Sequence, residues 1–195
     1  GYFAWAFSTR EACTQTSGRY IAYRVNQQRY AQSTGGWGNE VVAVSLNKTA
    51  EQGRWHHVVV SQTGSTVTLF IDGVAVKTAN ASRKPSDIGS ATTYNWLGRA
   101  PFNGDAYLKG ATYSDFRIYN RALSTEELST FTPALNALNY AYDSIAVEAA
   151  KTALGFIGLD SLRYNLFLPA TTGDNVALTW SSSNQAVLSN SGVVT

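Results

Sequence analysis

Asp72-Gly73 stands between two short apolar runs, Thr-Val-Thr-Leu-Phe-Ile at 66–71 and Val-Ala-Val at 74–76. Asp-Gly meets the positive-φ demand of a tight hairpin turn, and flanked in this way it is the strongest short-range sign of two paired antiparallel strands. Other β-prone runs lie at 2–7, 19–25, 40–46, 55–61, 96–98 and 111–119, separated by turn residues and without a helical period between them. Strands this short and this regularly spaced predict an all-β sandwich or barrel.

The pattern changes at Leu123. Ser124-Thr125-Glu126-Glu127 matches a capping box, in which the hydroxyl and the carboxylate each satisfy an orphan amide at a helix start. A short helix is expected there, stopping near Pro133. Residues 134–154 are rich in Ala and Leu and read as helical. Tyr142, Ile145, Ala149 and Thr152 fall on one side, with Leu138 and Leu154 nearby at helical spacing. Gly155 and Gly158 then interrupt the helix, and from Leu162 onward the runs at 164–168, 176–180 and 193–195 read as β again.

Composition narrows the function classes. Charged residues make up 14% of the chain, against roughly 25% in an ordinary globular protein, and Ser, Thr, Asn and Gln carry the polar load instead. Aromatics at 12% supply a core and argue against disorder. A net charge of +2, with the basic residues scattered, gives no electrostatic footprint for nucleic acid. No stretch approaches the ~20 apolar residues of a membrane span, so no membrane insertion is expected. Cys13 is the sole cysteine, which excludes an internal disulfide and a thiolate zinc cluster and fits a bacterial secreted protein. The opening Gly1-Tyr2-Phe3 and the absence of Met read as a processed or excised piece of a longer product.

Several segments carry a resemblance: Gly-Arg-Trp-His-His-Val-Val-Val at 53–60, Val-Thr-Leu-Phe-Ile-Asp-Gly-Val at 67–74, Trp-Leu-Gly-Arg at 96–99 and Leu-Lys-Gly at 108–110. The most specific is Ser-Asp-Phe-Arg-Ile-Tyr-Asn-Arg-Ala-Leu-Ser at 114–124. In order and spacing residues 1–132 resemble the laminin-G-like, concanavalin A-like jelly-roll domain of bacterial secreted proteins. Members of that family begin with further strands ahead of the equivalent of residues 2–7, so the resemblance implies open sheet edges here unless another segment covers them. In the tail, segments 149–154, 166–169, 178–184 and 191–195 resemble the first half of a small, degenerate bacterial immunoglobulin-like domain. The pairing of these modules is similar to secreted glycoside hydrolases acting on arabinose- or xylose-containing plant polysaccharides. There both modules are accessory and the catalytic unit lies elsewhere.

Carbohydrate binding needs exposed aromatic faces for sugar C–H groups and planar polar groups for hydroxyls. The loop expected at 28–39 offers Arg29, Tyr30, Gln32 and Trp37 among glycines, and Tyr94, Asn95 and Trp96 form a second cluster. Tyr20 and Arg24 share a strand face. The competing reading is that these aromatics close the ends of the sandwich. Domains of the resembled kind often carry a rim calcium, for which Asp115 and Asp105 are the candidate ligands; turn chemistry for Asp105 and a buried, hydrogen-bonded carboxylate for Asp115 are the plain alternatives. His56 and His57 are adjacent on a strand, point to opposite faces and cannot converge on one ion. No carboxylate pair, nucleophile elbow, phosphate loop or His-Glu-x-x-His is marked by spacing, and no catalytic residue is assigned.

The expected molecule is therefore all-β: a concanavalin A-like jelly-roll sandwich at 1–132, a short helical connector at 133–158, and the start of a partial immunoglobulin-like β module at 159–195. The expected function is a non-catalytic carbohydrate-binding or spacer module, secreted or on the bacterial cell surface. Its expected partners are a polysaccharide or oligosaccharide and other domains of the same parent protein. The alternative is a structural or adhesive protein using the sandwich for protein contacts.

Overall fold

A computed structural model describes residues 2–155, 163–172 and 176–194. It divides into two compact units, Gly1–Leu135 and Asn136–Thr195. The first unit holds two antiparallel sheets. β1 (Phe3–Ser8), β2 (Tyr20–Arg24), β3 (Arg29–Ser33), β4 (Glu40–Ser45) and β8 (Tyr94–Leu97) form one, in the order β4-β3-β2-β1-β8. β5 (Val58–Thr63), β6 (Thr66–Ile71) and β7 (Val74–Asn80) form the other, in chain order.

The Asp72-Gly73 turn forms as expected, with φ of 53° and 80°, and zips β6 to β7 from Ile71↔Val74 outward. Alternation along β6 turns Val67 and Leu69 inward, where they pack with Tyr23, Tyr30, Ala43, Val44 and Ala81 between the sheets. Burying a Val or Leu of this kind stabilises a fold by roughly 1.5–3 kcal/mol, so this cluster holds the two sheets together. The chain is a β-sandwich.

β5 begins at Val58, three residues later than the Trp55 start expected from sequence. Asp72 is the reason: its carboxylate accepts from the His57 amide at 2.8 Å and contacts His56 Nδ1 at 2.9 Å, drawing both histidines out of the ladder. His57 instead packs its ring on Phe131 at 4.8 Å. Both histidines are thus part of the hairpin end.

Two expectations are corrected. Residues 29–33, expected in a loop, form the interior strand β3, paired on both sides. Residues 111–119, taken as a strand, adopt no regular structure; with no ladder partner among the described residues, Ile118 is 72% exposed. The short helix after Ser124 stops ahead of Pro133 as expected, α1 being Thr125–Ser129, and α2 (Thr132–Ala153) carries Pro133 in its first turn. Proline is tolerated there because its missing N–H would be unpaired anyway. The capping box is present as read, Ser124 Oγ accepting from the Glu127 amide and the Glu127 carboxylate from the Ser124 amide.

Among the described residues of the second unit the β pairing consists of isolated antiparallel bridges, Thr171↔Ala177 and Leu188↔Val194. Gly158, Leu162 and Thr195 lie outside the described residues. Among the described residues no helix is long and apolar enough to cross a membrane.

Candidate functional site

The outer face of the five-stranded sheet, away from the sandwich core, is set by alternation. On β2 it carries Tyr20, Ala22 and Arg24; on β3, Arg29, Ala31 and Ser33; on β4, Glu40 and Val42. Cross-strand register makes Ala6, Ala22, Ala31 and Val42 one row, with Arg24 opposite Arg29 and Ser33 opposite Glu40 in the flanking rows. Ala22 and Ala31 are buried beneath the longer side chains on either side.

Those side chains close over the alanines. Glu40 Oε2 accepts from the Tyr20 hydroxyl at 2.5 Å and from Arg24 Nη2 at 3.3 Å, while Arg29 Nη2 pairs with Oε1. The carboxylate is almost fully buried, whereas the guanidiniums keep 22% (Arg24) and 19% (Arg29) of their side-chain surface in solvent. Burial pushes the Tyr20 hydroxyl well above its ordinary value, so it stays a proton donor to Glu40. Burial also lowers both arginines, and at Arg29 the neighbouring Arg24 adds to the effect; both remain cations at any working pH. A carboxylate held by three donors is an anchor for the guanidiniums, poorly placed to shuttle a proton.

Aromatic rings border this cluster. The Arg24 guanidinium lies over Phe3 at 4.5 Å, Phe3 meets Phe102 edge-on at 5.5 Å, and Phe102 meets both Tyr20 (5.2 Å) and Trp37 (5.5 Å) in the same way. On the β8 side Tyr94 stacks on Trp96 at 5.8 Å and Arg99 covers Trp96 at 4.6 Å. Phe102 and Trp96 both pack on one cluster formed by Phe3, Ala6, Cys13, Tyr20, Ala22 and Ala100. The two aromatic groups therefore flank the same face.

Trp37 owes its position to glycines. Gly36 has φ of 76°, and a Cβ there would stand 2.3 Å from Thr14 O; one on Gly38 would stand 2.9 Å from Gln15 O. With no side chains in the way, the turn straps to the neighbouring loop through Gly36 N→Gly18 O, Trp37 N→Thr14 O and Gly38 N→Gln15 O. Arg83 reaches across to the Asn39 carbonyl and to Asn39 Oδ1. Trp37 is left 47% exposed on a fixed backbone.

The structure thus gathers Arg29, Trp37, Tyr94 and Trp96 on one face and removes Tyr30 from it. Tyr30 points from β3 into the sandwich core, is 2% exposed and accepts from Gln32 Nε2 at 2.8 Å. Gln32 goes with it, donating also to Gln62 Oε1 across the sheets. In a strand, residue 30 must point opposite to 29 and 31, so these two cannot share a ligand with Arg29. Glu40, Phe3, Phe102 and Arg99 escaped the sequence reading. Glu40 had a signal: an acidic residue opening a strand that pairs beside strands carrying Arg at matching parity.

The two candidate calcium ligands, Asp115 and Asp105, each have a cationic neighbour. Asp115 spends both oxygens on Arg117, at 3.1 Å from Nε and 3.0 Å from Nη2. Asp105 lies in the field of Arg24. Among the described residues no three His, Cys, Asp or Glu side chains gather to hold a metal. Cys13 is buried against Ser8 Oγ at 3.1 Å, and burial raises its thiol, the opposite of an activated nucleophile.

No curated protein matches this chain. Among solved structures it is similar to an S-layer domain-containing protein (residues 221–444) from Clostridium thermocellum ATCC 27405. The identity is 26% and the TM-score 0.37, with 61% of this chain matched to 58% of that one. The chain thus spans little more than half the length of that relative. The family model of the concanavalin A-like lectin/glucanases superfamily, in its laminin G form, matches residues 4–129. That is more than half of the sequence, and the chain belongs to this family.

Proposed function

We propose that the chain is a non-catalytic carbohydrate-binding module of a secreted or surface-displayed bacterial polysaccharide-degrading protein, taking arabinan- or xylan-type glycans. One observation carries the reading: an exposed Trp37, a Tyr94–Trp96 stack and a partly exposed Arg24–Glu40–Arg29 cluster border a single sheet face. Aromatic faces take the C–H side of a sugar ring and the planar groups take its hydroxyls. The tail, in this proposal, is the start of an immunoglobulin-like module linking this domain to others.

Retardation of the purified chain in gels containing arabinan, xylan or arabinogalactan tests the proposal. Trp37→Ala is expected to weaken retardation by roughly tenfold, about 1.4 kcal/mol, while Tyr30→Phe leaves it unchanged. No retardation by any glycan, from a folded chain, would reject it. A structural or adhesive role is favoured instead by the exposed apolar side chains Ile118, Phe116, Val74 and Leu97. It would show as self-association in sedimentation that Ile118→Asp abolishes.

A further inference from the structure

Arg24 and Arg29 are direct cross-strand partners. Like charges set opposite one another on a sheet repel; Glu40 is the carboxylate in contact with both guanidiniums, and Asp105 acts on Arg24 from further off. Each arginine gives one terminal nitrogen to Glu40, and Arg29 Nε is buried without an acceptor. Both side chains nonetheless reach solvent on the outer face. The face therefore presents two adjacent, partly exposed arginines that share one carboxylate contact, next to apolar rings.

We propose that this cluster is a subsite for the carboxylate of a hexuronic acid residue, so that a uronate-bearing chain is bound more tightly than a neutral arabinan or xylan. The inference rests on the carbohydrate-binding reading and names its substrate class. A hydroxyl brought to this site would leave the two guanidiniums sharing a single contacting carboxylate. A carboxylate matches the planar fork and forms charge-assisted bonds about twice as strong as neutral ones. A uronate also carries its carboxylate on a ring with an apolar C–H side. Ring contacts of 4.5, 5.5 and 5.5 Å lead from Arg24 through Phe3 and Phe102 to Trp37, so charge and stacking surface lie along one path.

The full chain is tested in gels and by calorimetry against polygalacturonate, neutral arabinan and xylan, and dextran sulfate as a polyanion without uronate. Polygalacturonate is expected to bind roughly tenfold or more tighter than the neutral chains and to weaken as salt is raised. Arg29→Gln should remove that preference. Because this change leaves Glu40 short of a partner, Val42→Asp serves as the second variant. Val42 is 45% exposed on the same face, one cross-strand row from the arginines, so an added carboxylate repels the ligand without disturbing the core.

Retardation by neutral glycans alone would overturn the uronate subsite while leaving the binding-module reading intact. Dextran sulfate binding as tightly as polygalacturonate, with Val42→Asp indifferent, would reduce the effect to overall positive charge and also overturn it. Absence of binding to any glycan would remove both.

Discussion

Replacing Glu40 by Gln would leave Arg24 and Arg29 facing one another with no carboxylate between them. Removing one partner from a buried ion pair costs about 3–5 kcal/mol, and the guanidiniums here are about a fifth exposed, so a loss of about 2 kcal/mol is expected. Tyr20→Phe, which removes one of three donors, should cost about 1 kcal/mol. Urea midpoints at pH 7 check both, and an unchanged slope would show that stability alone has moved. His57 makes a separate prediction. Burial lowers its folded pKa below the usual 6.5, with Arg117 adding to the lowering and Asp72 and Asp115 opposing it. The unfolded chain then takes up the proton first, so stability is full above about pH 6.5 and is lost as pH falls from there toward the folded value. The urea midpoint should drop between pH 7 and pH 5.5, and His57→Gln should flatten that drop. A midpoint that rises on acidification would show the imidazole gaining more from the two aspartates than it loses to burial.

Elements differed in how far they could be read from sequence, and β3 shows why. Arg-Tyr-Ala-Gln-Ser lacks the β-branched, alternating character of a typical strand, yet four of its five residues are buried. Its polar side chains find partners distant in sequence: Gln32 Nε2 donates to Gln62, and Arg29 Nη2 pairs with Glu40. Propensity cannot see such partners. Segment 111–119 is the converse, since its β-prone pattern meets no ladder among the described residues. The hairpin at Asp72-Gly73 and the cap at Ser124 were legible because turn and cap chemistry is local. The Trp37 turn falls between: glycine spacing announced a turn, but only the approach of Thr14 and Gln15 shows why glycine is needed. Gly36→Ala should therefore strain the turn by about 1 kcal/mol or more. It should shift Trp37 fluorescence and weaken glycan retardation more than it lowers global stability. An effect on stability alone would mean that the turn does not position Trp37 for a ligand.

At the scale of the molecule, the sandwich core, the outer-face cluster and the Trp37 turn are all built from residues between Phe3 and Phe102. All of them lie within the first compact unit, Gly1–Leu135. A domain that owns its hydrophobic core folds alone, and a sheet-borne site needs only the strands that carry it. A chain ending at Leu135 should keep its near-ultraviolet circular dichroism and a single cooperative urea transition. It should lose the far-ultraviolet helical signal of α2, since most of Thr132–Ala153 lies beyond the cut. Its urea slope should fall with the surface removed, while glycan retardation stays within about twofold of the full chain's. Loss of the near-ultraviolet signal on truncation would show that the first unit depends on the second for its packing. A folded truncation that no longer bound glycan would place the ligand contacts in residues 136–195 and move the site away from the sheet face.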